Sequence, residues 1–199
     1  DKVMSIGLII LVILFQDQIK RFLVEIGNHK RWRFLRDMFR HHHGSKSHDA
    51  DMRKWVMPIV YACMSMSKSK TGALIVIEQS IPLEHYEKSG DMIDANINSR
   101  LIENIFFKNS PLHDGAMIIA HDRIKAAGCI LPVSHDTNIP RSMGLRHRSA
   151  LGISQATDAA AVVVSEETGG ISFAYKGKIT SRLSSTDLEH RLSQLYPDE

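Results

Sequence analysis

Three short apolar runs constrain the fold of this chain more than any other feature. They are Ala73–Ile77, Ala116–Ala120 and Ala160–Val164, and none of them contains a charged residue. Apolar runs of this length, bounded by turn residues, predict strands that are buried within a sheet. A sheet of such strands needs helices packed against its faces.

Helical and hairpin patterns between these runs extend the prediction. The sequence predicts five helices. They are a helix capped by Asp51 with apolar residues to Cys63, a helix over 83–89, a helix capped by Asn98 or Ser99, a helix over 148–154, and a helix capped by Ser184 with Asp187. Hairpins are predicted over 116–131 and 171–180, the second with a turn at Lys176-Gly177. Hairpins and helical crossovers occur together. We therefore predict an α/β fold, a mixed and mostly buried β-sheet flanked by helices.

The N-terminal part of the chain has a different character. Val3 to Phe15 is almost unbroken apolar sequence, but it is shorter than the roughly 20 residues that span a bilayer. A signal peptide fits less well, because no small-residue cleavage site follows. We predict the end of a transmembrane helix with the following domain on the cytoplasmic side, since a cluster of basic residues comes next. These are Lys20, Arg21, Lys30, Arg31, Arg33, Arg36 and Arg40.

Three segments follow from this pattern. Residues 1–26 are predicted as the C-terminal part of a transmembrane helix and its extension, 27–50 as a basic, histidine-rich linker, and 51–199 as the catalytic domain. The histidines at 41–43 suit a solvated linker better than a metal site.

The net charge is only +3, which carries no signature of a nucleic-acid polymer as partner. Cys63 and Cys129 lack metal-ligand spacing, which favours buried thiols in a reducing compartment.

Two segments carry the chemistry. Leu112–Ala116 places Asp114 and Gly115 directly before an apolar strand, and Gly144–Ser149 contains Arg146, His147 and Arg148 at a predicted helix start. A carboxylate can hold a divalent cation, and a guanidinium donates paired hydrogen bonds to phosphate. Together these groups suit phosphoryl transfer on a nucleotide.

Each of these residues also has a structural interpretation. Asp114-Gly115 is a common turn pair, and the arginines could form a surface patch paired with acids. His113-Asp114 resembles the metal-binding pair of phosphohydrolases, but it precedes a strand and lacks further ligands on helices. Glu167 lies past a buried strand and is a candidate second metal ligand, with Glu166 as the alternative.

The segments together resemble the diadenylate cyclase domain family. Asp114-Gly115-Ala116 and the Arg-His-Arg triplet resemble its two principal motifs. Thr71–Glu78, Asn109–His113 and Ser165–Ser172 resemble further family segments in the same order. The agreement runs from about residue 51 to the C-terminus, and the N-terminal apolar run favours the membrane-anchored, CdaA-type branch. In that branch further membrane helices precede the segment seen here.

The resemblance implies that two ATP molecules are condensed into cyclic di-AMP with release of pyrophosphate. The site would be shared by two facing subunits of a homodimer. Asp114, with Mg²⁺ or Mn²⁺, would act on the 3′-hydroxyl, and Glu167 would be a second ligand. Gly115 would allow close approach of the nucleotide, and Arg146, His147 and Arg148 would bind phosphates.

The resemblance also implies an ATP-binding set around the base, and two departures from the family pattern. Leu145 stands where relatives often have threonine, and Ile130 stands where an aromatic residue often lies near adenine. These departures leave open a catalytically silent nucleotide sensor on the same fold, and a membrane-tethered scaffold is a third hypothesis. Regulatory protein partners cannot be inferred from the sequence. The implied ATP-binding residues are Gly72, Ala73, Leu74, Ala116, Leu131, Leu145, Arg146 and Arg148.

Overall fold

The structure is a computed structural model that describes residues 48–136 and 143–195, with side chains from Trp55 onward. In chain order, the elements of this part are α1 (His48–Lys68), β1 (Ala73–Ile77), α2 (Glu84–Glu87), β2 (Asp91–Asn96), α3 (Ser99–Ile105), β3 (Ala116–Ala120), β4 (Arg123–Cys129), α4 (Leu145–Ala156), β5 (Ala160–Val164), β6 (Ile171–Tyr175), β7 (Lys178–Ser181) and α5 (Ser185–Ser193).

The strands form one sheet with the order β2-β4-β3-β1-β5-β6-β7. Strands β1 and β3 are parallel, and every other neighbouring pair is antiparallel. The three apolar runs of the sequence are the three central strands, and every residue in them is buried. The prediction of a mixed, mostly buried sheet flanked by helices is confirmed.

Alternation along each central strand divides the core into two layers. In β1, Ala73, Ile75 and Ile77 pack with α1, α3 and α5, whereas Leu74 and Val76 pack on the opposite face with α4. Successive side chains of a strand point to opposite faces, so a continuous apolar run fills both layers. The layer that contains α4 is the one that reaches the candidate site.

The edge strand β2 was not predicted, and its composition explains why. None of its six residues is buried, three of them are polar, and the polar and apolar residues do not alternate, so no strand pattern marks them. A bulge interrupts its pairing with β4 between Met92 and Ala95, and Asp94 has φ +45°. Arg123 and Lys125 both bind the Asp94 carboxylate, and these hydrogen bonds hold its pKa below the usual value. The pairing of this edge strand with β4 is therefore stabilised by ion pairs, and the strand lacks the apolar pattern that would have predicted it.

Predicted helix starts were right where a polar cap is satisfied and wrong at α1 and α4. Asn98 accepts from the Arg100 N–H, and Ser184 with Asp187 forms a capping box. The first helix already includes His48, so Asp51 lies inside it rather than at its cap. The helix α4 begins at Leu145, three residues before the predicted start at Arg148.

The predicted membrane segment, 1–26, and most of the predicted linker lie outside the described residues. Among the residues that are described, no helix combines the length and the apolar character needed to cross a bilayer.

Candidate active site

The sheet topology brings separate parts of the sequence to one edge. Ala73, at the start of β1, pairs with Val164, at the end of β5, and β3 runs parallel to β1. The starts of β1 and β3 therefore lie at the same edge as the end of β5. Gly72, Asp114 and the segment Ser165–Glu167 are placed at this edge by the strands that they flank.

A cavity of about 720 Å³ opens at this edge, beside the N-terminus of α4. Its size is in the range of small-molecule sites, and its lining mixes apolar and charged side chains as such sites do. The lining residues are Leu74, His113, Asp114, Gly115, Cys129, Ile130, Leu131, Val133, Gly144, Leu145, Arg146, His147, Ser149, Val164, Ser165, Glu166 and Glu167.

Four residues of the predicted set are not in this lining. Ala73 packs in the opposite layer of the core, and Ala116 is fully buried in the same core layer as Leu74 and Leu131. Gly72 lies under the Arg146 side chain. Arg148 is half-buried in the first turns of α4, where its carbonyl accepts a 3.0 Å hydrogen bond from the Ser134 N–H.

The N-terminus of α4 supplies hydrogen-bond donors to the cavity. The first backbone bond of the helix runs from the Arg148 N–H to the Gly144 carbonyl, at 3.2 Å. The N–H groups of Leu145, Arg146 and His147 precede it and have no carbonyl of their own helix to bind. Free N–H groups and the helix dipole together favour an anion at this position.

His147 is buried at the same helix end. It is 9% exposed, and its Nε2 lies 3.3 Å from the Ser172 hydroxyl oxygen. Burial lowers the pKa of His147, and the nearby Glu167 carboxylate opposes that shift more weakly. The imidazole is therefore neutral at pH 7 and acts as a hydrogen-bonding group rather than as a cation.

Arg146 lies across the cavity wall with its guanidinium paired to Glu166. Its Nη1 donates to Glu166 Oε2 at 2.8 Å, and its Nη2 is 3.5 Å from the His113 carbonyl. The arginine side chain is 22% exposed. A mostly buried guanidinium in a cavity wall is well placed to bind a phosphate or carboxylate.

Asp114 and Glu167 both line the cavity, whereas Glu166 is engaged by Arg146. Within the described ranges, no three His, Cys, Asp or Glu residues cluster as a complete metal site. Two carboxylates in one cavity nevertheless suit a divalent cation whose remaining oxygen ligands come from a triphosphate and water. The residues present therefore fit a divalent cation that takes part of its ligand set from outside the protein.

Gly115 is required by the sheet itself. Its φ is +131°, and a Cβ at this position would lie 2.6 Å from the Gly128 carbonyl carbon of β4. Neither the backbone angle nor the contact admits a side chain. The glycine lets the chain enter β3 directly after Asp114, and this fixes the position of the carboxylate.

The apolar part of the cavity has a buried floor and an exposed rim. Leu74 and Leu131 are 3% and 8% exposed, whereas Ile130 and Leu145 are 73% and 74% exposed. Aliphatic side chains that remain exposed around a cavity offer surface to a flat apolar ligand. Cys129 lies in the same wall, but burial raises the pKa of its thiol to about 12, which excludes it as a nucleophile.

Comparison with known families identifies the family to which this chain belongs. Residues 60–179 match the profile of the DAC family, described as DisA bacterial checkpoint controller nucleotide-binding, over more than half of the chain. The chain belongs to this diadenylate cyclase family. The matched range contains both motif segments, all seven strands except the last two residues of β7, and the whole cavity lining.

Individual members of the family are similar over most of the chain. Cyclic di-AMP synthase CdaA of Bacillus subtilis is 36% identical over 192 residues, which are 96% of this chain and 67% of that protein. A diadenylate cyclase of Listeria monocytogenes is 35% identical over 188 residues, 94% of this chain and 66% of that protein. The chain spans about two thirds of the length of these relatives.

Solved structures agree with the fold of this diadenylate cyclase. A double cysteine variant of DacA from Staphylococcus aureus superposes with a TM-score of 0.72 at 42% identity, covering 73% of this chain and 97% of that one. A hypothetical membrane-spanning protein from Bacillus cereus gives a TM-score of 0.62 at 31% identity, covering 87% of this chain and 80% of that one.

Some lining residues of the cyclase were missed from the sequence. Val133, Ser149 and Ser165 line the cavity although none was a candidate. Ser149 follows the basic triplet, and a helix that begins at Leu145 would have brought it toward the same end. Val133 lies four residues after the end of β4, in an irregular segment where no periodicity indicates which side chains face inward.

Gly152 allows α4 to pack closely against this cavity wall. A Cβ there would lie 2.1 Å from the Pro132 carbonyl oxygen and 2.9 Å from the Ser134 nitrogen. We predict that Gly152→Ala destabilises the cyclase by about 1–3 kcal/mol. The clash is with backbone, so it outweighs the gain of up to about 1 kcal/mol in helix propensity. Urea unfolding measures the change.

The control for this prediction is Gly144→Ala, because a Cβ at Gly144 meets nothing within 4 Å. Its midpoint should stay near that of the unaltered protein. Equal stability of the two variants would show that α4 does not depend on close contact with the Pro132 segment.

Proposed function

We propose that this diadenylate cyclase joins its two ATP molecules at a site shared by two facing subunits, each of which holds one nucleotide. The observation that carries the proposal is the composition of the cavity. It combines an apolar slot, a helix N-terminus with Arg146, and two carboxylates. These carboxylates, Asp114 and Glu167, form no ion pair with a basic side chain in the described part of the chain. The three features are the separate requirements of a base, a triphosphate and a nucleotidyl transfer.

The three parts of the cavity suit the three parts of ATP. Adenine fits between the floor residues Leu74 and Leu131 and the exposed rim residue Ile130. The triphosphate fits at the N-terminus of α4, where free N–H groups and Arg146 donate to oxygen anions. His147, neutral and hydrogen-bonded to Ser172, adds a further donor beside them. The ribose then lies near Asp114.

The reaction needs two transfers. In each, a ribose 3′-oxygen of one ATP attacks the α-phosphorus of the other, the α–β phosphoanhydride bond breaks, and pyrophosphate leaves. The 3′-proton is lost to the Asp114 carboxylate or, through it, to solvent. Two such steps convert two ATP into one cyclic di-AMP and two pyrophosphates. Most of the acceleration comes from alignment and from charge stabilisation, because the protein forms no covalent bond to the substrate.

Asp114 and Glu167 would hold the cation that accompanies the triphosphate, either Mg²⁺ or Mn²⁺. When bound, the cation supplies positive charge that lowers the pKa of a hydroxyl and neutralises the phosphates. Asp114 itself holds the 3′-hydroxyl in line, and the Gly115 backbone fixes the position of its carboxylate.

The facing arrangement follows from the shape of the product. Each chain carries one Asp114 and one Arg146-His147-Arg148 set, which suffices for one nucleotide, whereas cyclic di-AMP contains two. A twofold axis places two identical cavities opposite each other and makes both transfers equivalent.

We further propose that residues 1–26 attach the enzyme to the cell membrane with the catalytic domain on the cytoplasmic side, on the basis of the apolar run and the basic residues after it.

The two arginines of the triplet are predicted to differ. Arg146→Ala should lower kcat/KM for ATP by about 10- to 100-fold, because it removes a charge-assisted contact worth about 1.5–3 kcal/mol. Arg148→Ala should cost less, since Arg148 does not line its own cavity. Steady-state kinetics of both variants test the assignment.

The matched control is Arg100→Ala on the exposed start of α3, which should behave like the unaltered enzyme. If Arg146→Ala retained the kinetics of this control, the triphosphate would not be bound at the α4 N-terminus and the proposed orientation of ATP would be overturned.

A further inference from the structure

We infer that Glu166 is a positioning residue, which holds the Arg146 guanidinium in the orientation that binds triphosphate. The inference rests on the proposed function, because it concerns the arginine of the same cavity. Its first support is the ion pair itself, with Arg146 Nη1 donating to Glu166 Oε2 at 2.8 Å. This is the shortest contact that the guanidinium makes with the described residues.

The Arg146–Glu166 ion pair occupies space next to Gly72 that a side chain at position 72 would fill. A Cβ on Gly72 would be 2.7 Å from Arg146 Nη1, 2.9 Å from Arg146 Cζ and 3.0 Å from Glu166 Oε2. The guanidinium and the carboxylate therefore meet directly over Gly72, in the space that any other residue would fill. The backbone of Gly72 needs no positive φ, so close approach of the ion pair is the reason for glycine here.

The other donors of Arg146 offer little restraint. Nη2 reaches the His113 carbonyl only at 3.5 Å, and Nε is buried without a hydrogen-bond partner in the described part of the chain. Removal of Glu166 would leave a long side chain with one weak contact. An arginine that is not held in place must be ordered when ATP binds, and this ordering lowers affinity.

An opposite effect of Glu166 is also conceivable on charge alone. A carboxylate near a triphosphate repels it and competes for the guanidinium. The structure favours positioning, because the Glu166 side chain is 58% exposed and the Arg146 side chain only 22%. Solvent screens the repulsion from the exposed carboxylate, whereas the buried guanidinium depends on its partner for its orientation.

Two substitutions at position 166 separate these effects. Glu166→Gln removes the charge but keeps an oxygen that can accept from Nη1, and Glu166→Ala removes both. Positioning predicts a loss of roughly two- to tenfold in kcat/KM and in ATP affinity for Glu166→Ala, with most of the loss restored in Glu166→Gln. Competition by charge predicts tighter ATP binding in both variants.

A third variant, at Gly72, disturbs the ion pair without changing either of its residues. Gly72→Ala should displace the guanidinium and the carboxylate together, and should also weaken ATP binding. Since both changes act on one contact, the double variant Gly72→Ala/Glu166→Ala should lose less than the sum of the single losses. Glu189→Ala, on the exposed face of α5, is the control for removal of a glutamate.

The experiment uses the 199-residue protein, with ATP binding measured by equilibrium dialysis, turnover by product formation, and folding by thermal melting. Unchanged or tighter ATP binding in a folded Glu166→Ala variant would overturn the inference. So would a loss in Glu166→Gln as large as in Glu166→Ala. Failure of the proposed function is recognised separately, because the unaltered protein would then form no cyclic di-AMP.

Discussion

Replacing Asp114 with asparagine should abolish cyclic di-AMP synthesis while leaving the protein folded. The amide has nearly the same shape as the carboxylate, so the turn into β3 and the contacts of Gly115 are retained. It carries no charge, so it does not accept the 3′-proton and binds a divalent cation much more weakly than the carboxylate does. We expect a fall in kcat of about 100-fold or more, the scale seen when one electrostatic contact to a transition state is lost.

Asp122→Asn is the matched control. Asp122 is exposed in the turn between β3 and β4 with φ +58°, a conformation that asparagine also adopts readily. This variant should keep normal turnover, and both variants should melt at the same temperature as the unaltered protein. Near-normal synthesis by folded Asp114→Asn would remove Asp114 from the mechanism.

Dilution should reduce the specific activity of the enzyme. A site that is shared by two subunits exists only in the dimer, and the fraction of dimer falls as the total concentration falls below its dissociation constant. The expected result is a specific activity that rises with protein concentration and then levels off, with at least a tenfold change when the series crosses that constant. Light scattering at the same concentrations gives the molecular mass.

Agreement between the two curves would support the facing arrangement. A constant specific activity in a protein that light scattering shows to be monomeric throughout would contradict it. ATP binding by dialysis provides the control, because in the proposed arrangement each subunit holds its own nucleotide. It should therefore change much less with dilution than synthesis does.

The central strands were predictable because strands that are buried on both faces consist of apolar residues only. Ala160–Val164 has no polar residue and lies at the centre of the sheet, so hydrophobic burial on both faces dictates both its sequence and its position. The edge strand β2 has the opposite balance, and its pairing depends on the ion pairs of Asp94 with β4. Such tertiary contacts leave no periodic signal in a single sequence.

Most of the candidate site residues line one cavity, but the sequence did not predict how they are arranged in it. Asp114 and Arg146 line one cavity although they are far apart in sequence, because β3 and α4 both begin at the same edge. Ala73 packs in the opposite layer, as the alternation of side chains along β1 requires. The contact between Arg146 and Glu166 could not be read from spacing, because it depends on where α4 and β5 meet.

The account is tested most directly by product analysis. The unaltered protein is incubated with ATP and Mn²⁺, and the nucleotides and pyrophosphate are measured by mass spectrometry and phosphate assay. The account predicts cyclic di-AMP and pyrophosphate in a ratio of one to two, with no linear dinucleotide remaining at completion. Recovery of unchanged ATP from a protein that binds it would contradict this account, and would identify the chain as a nucleotide sensor on a cyclase fold.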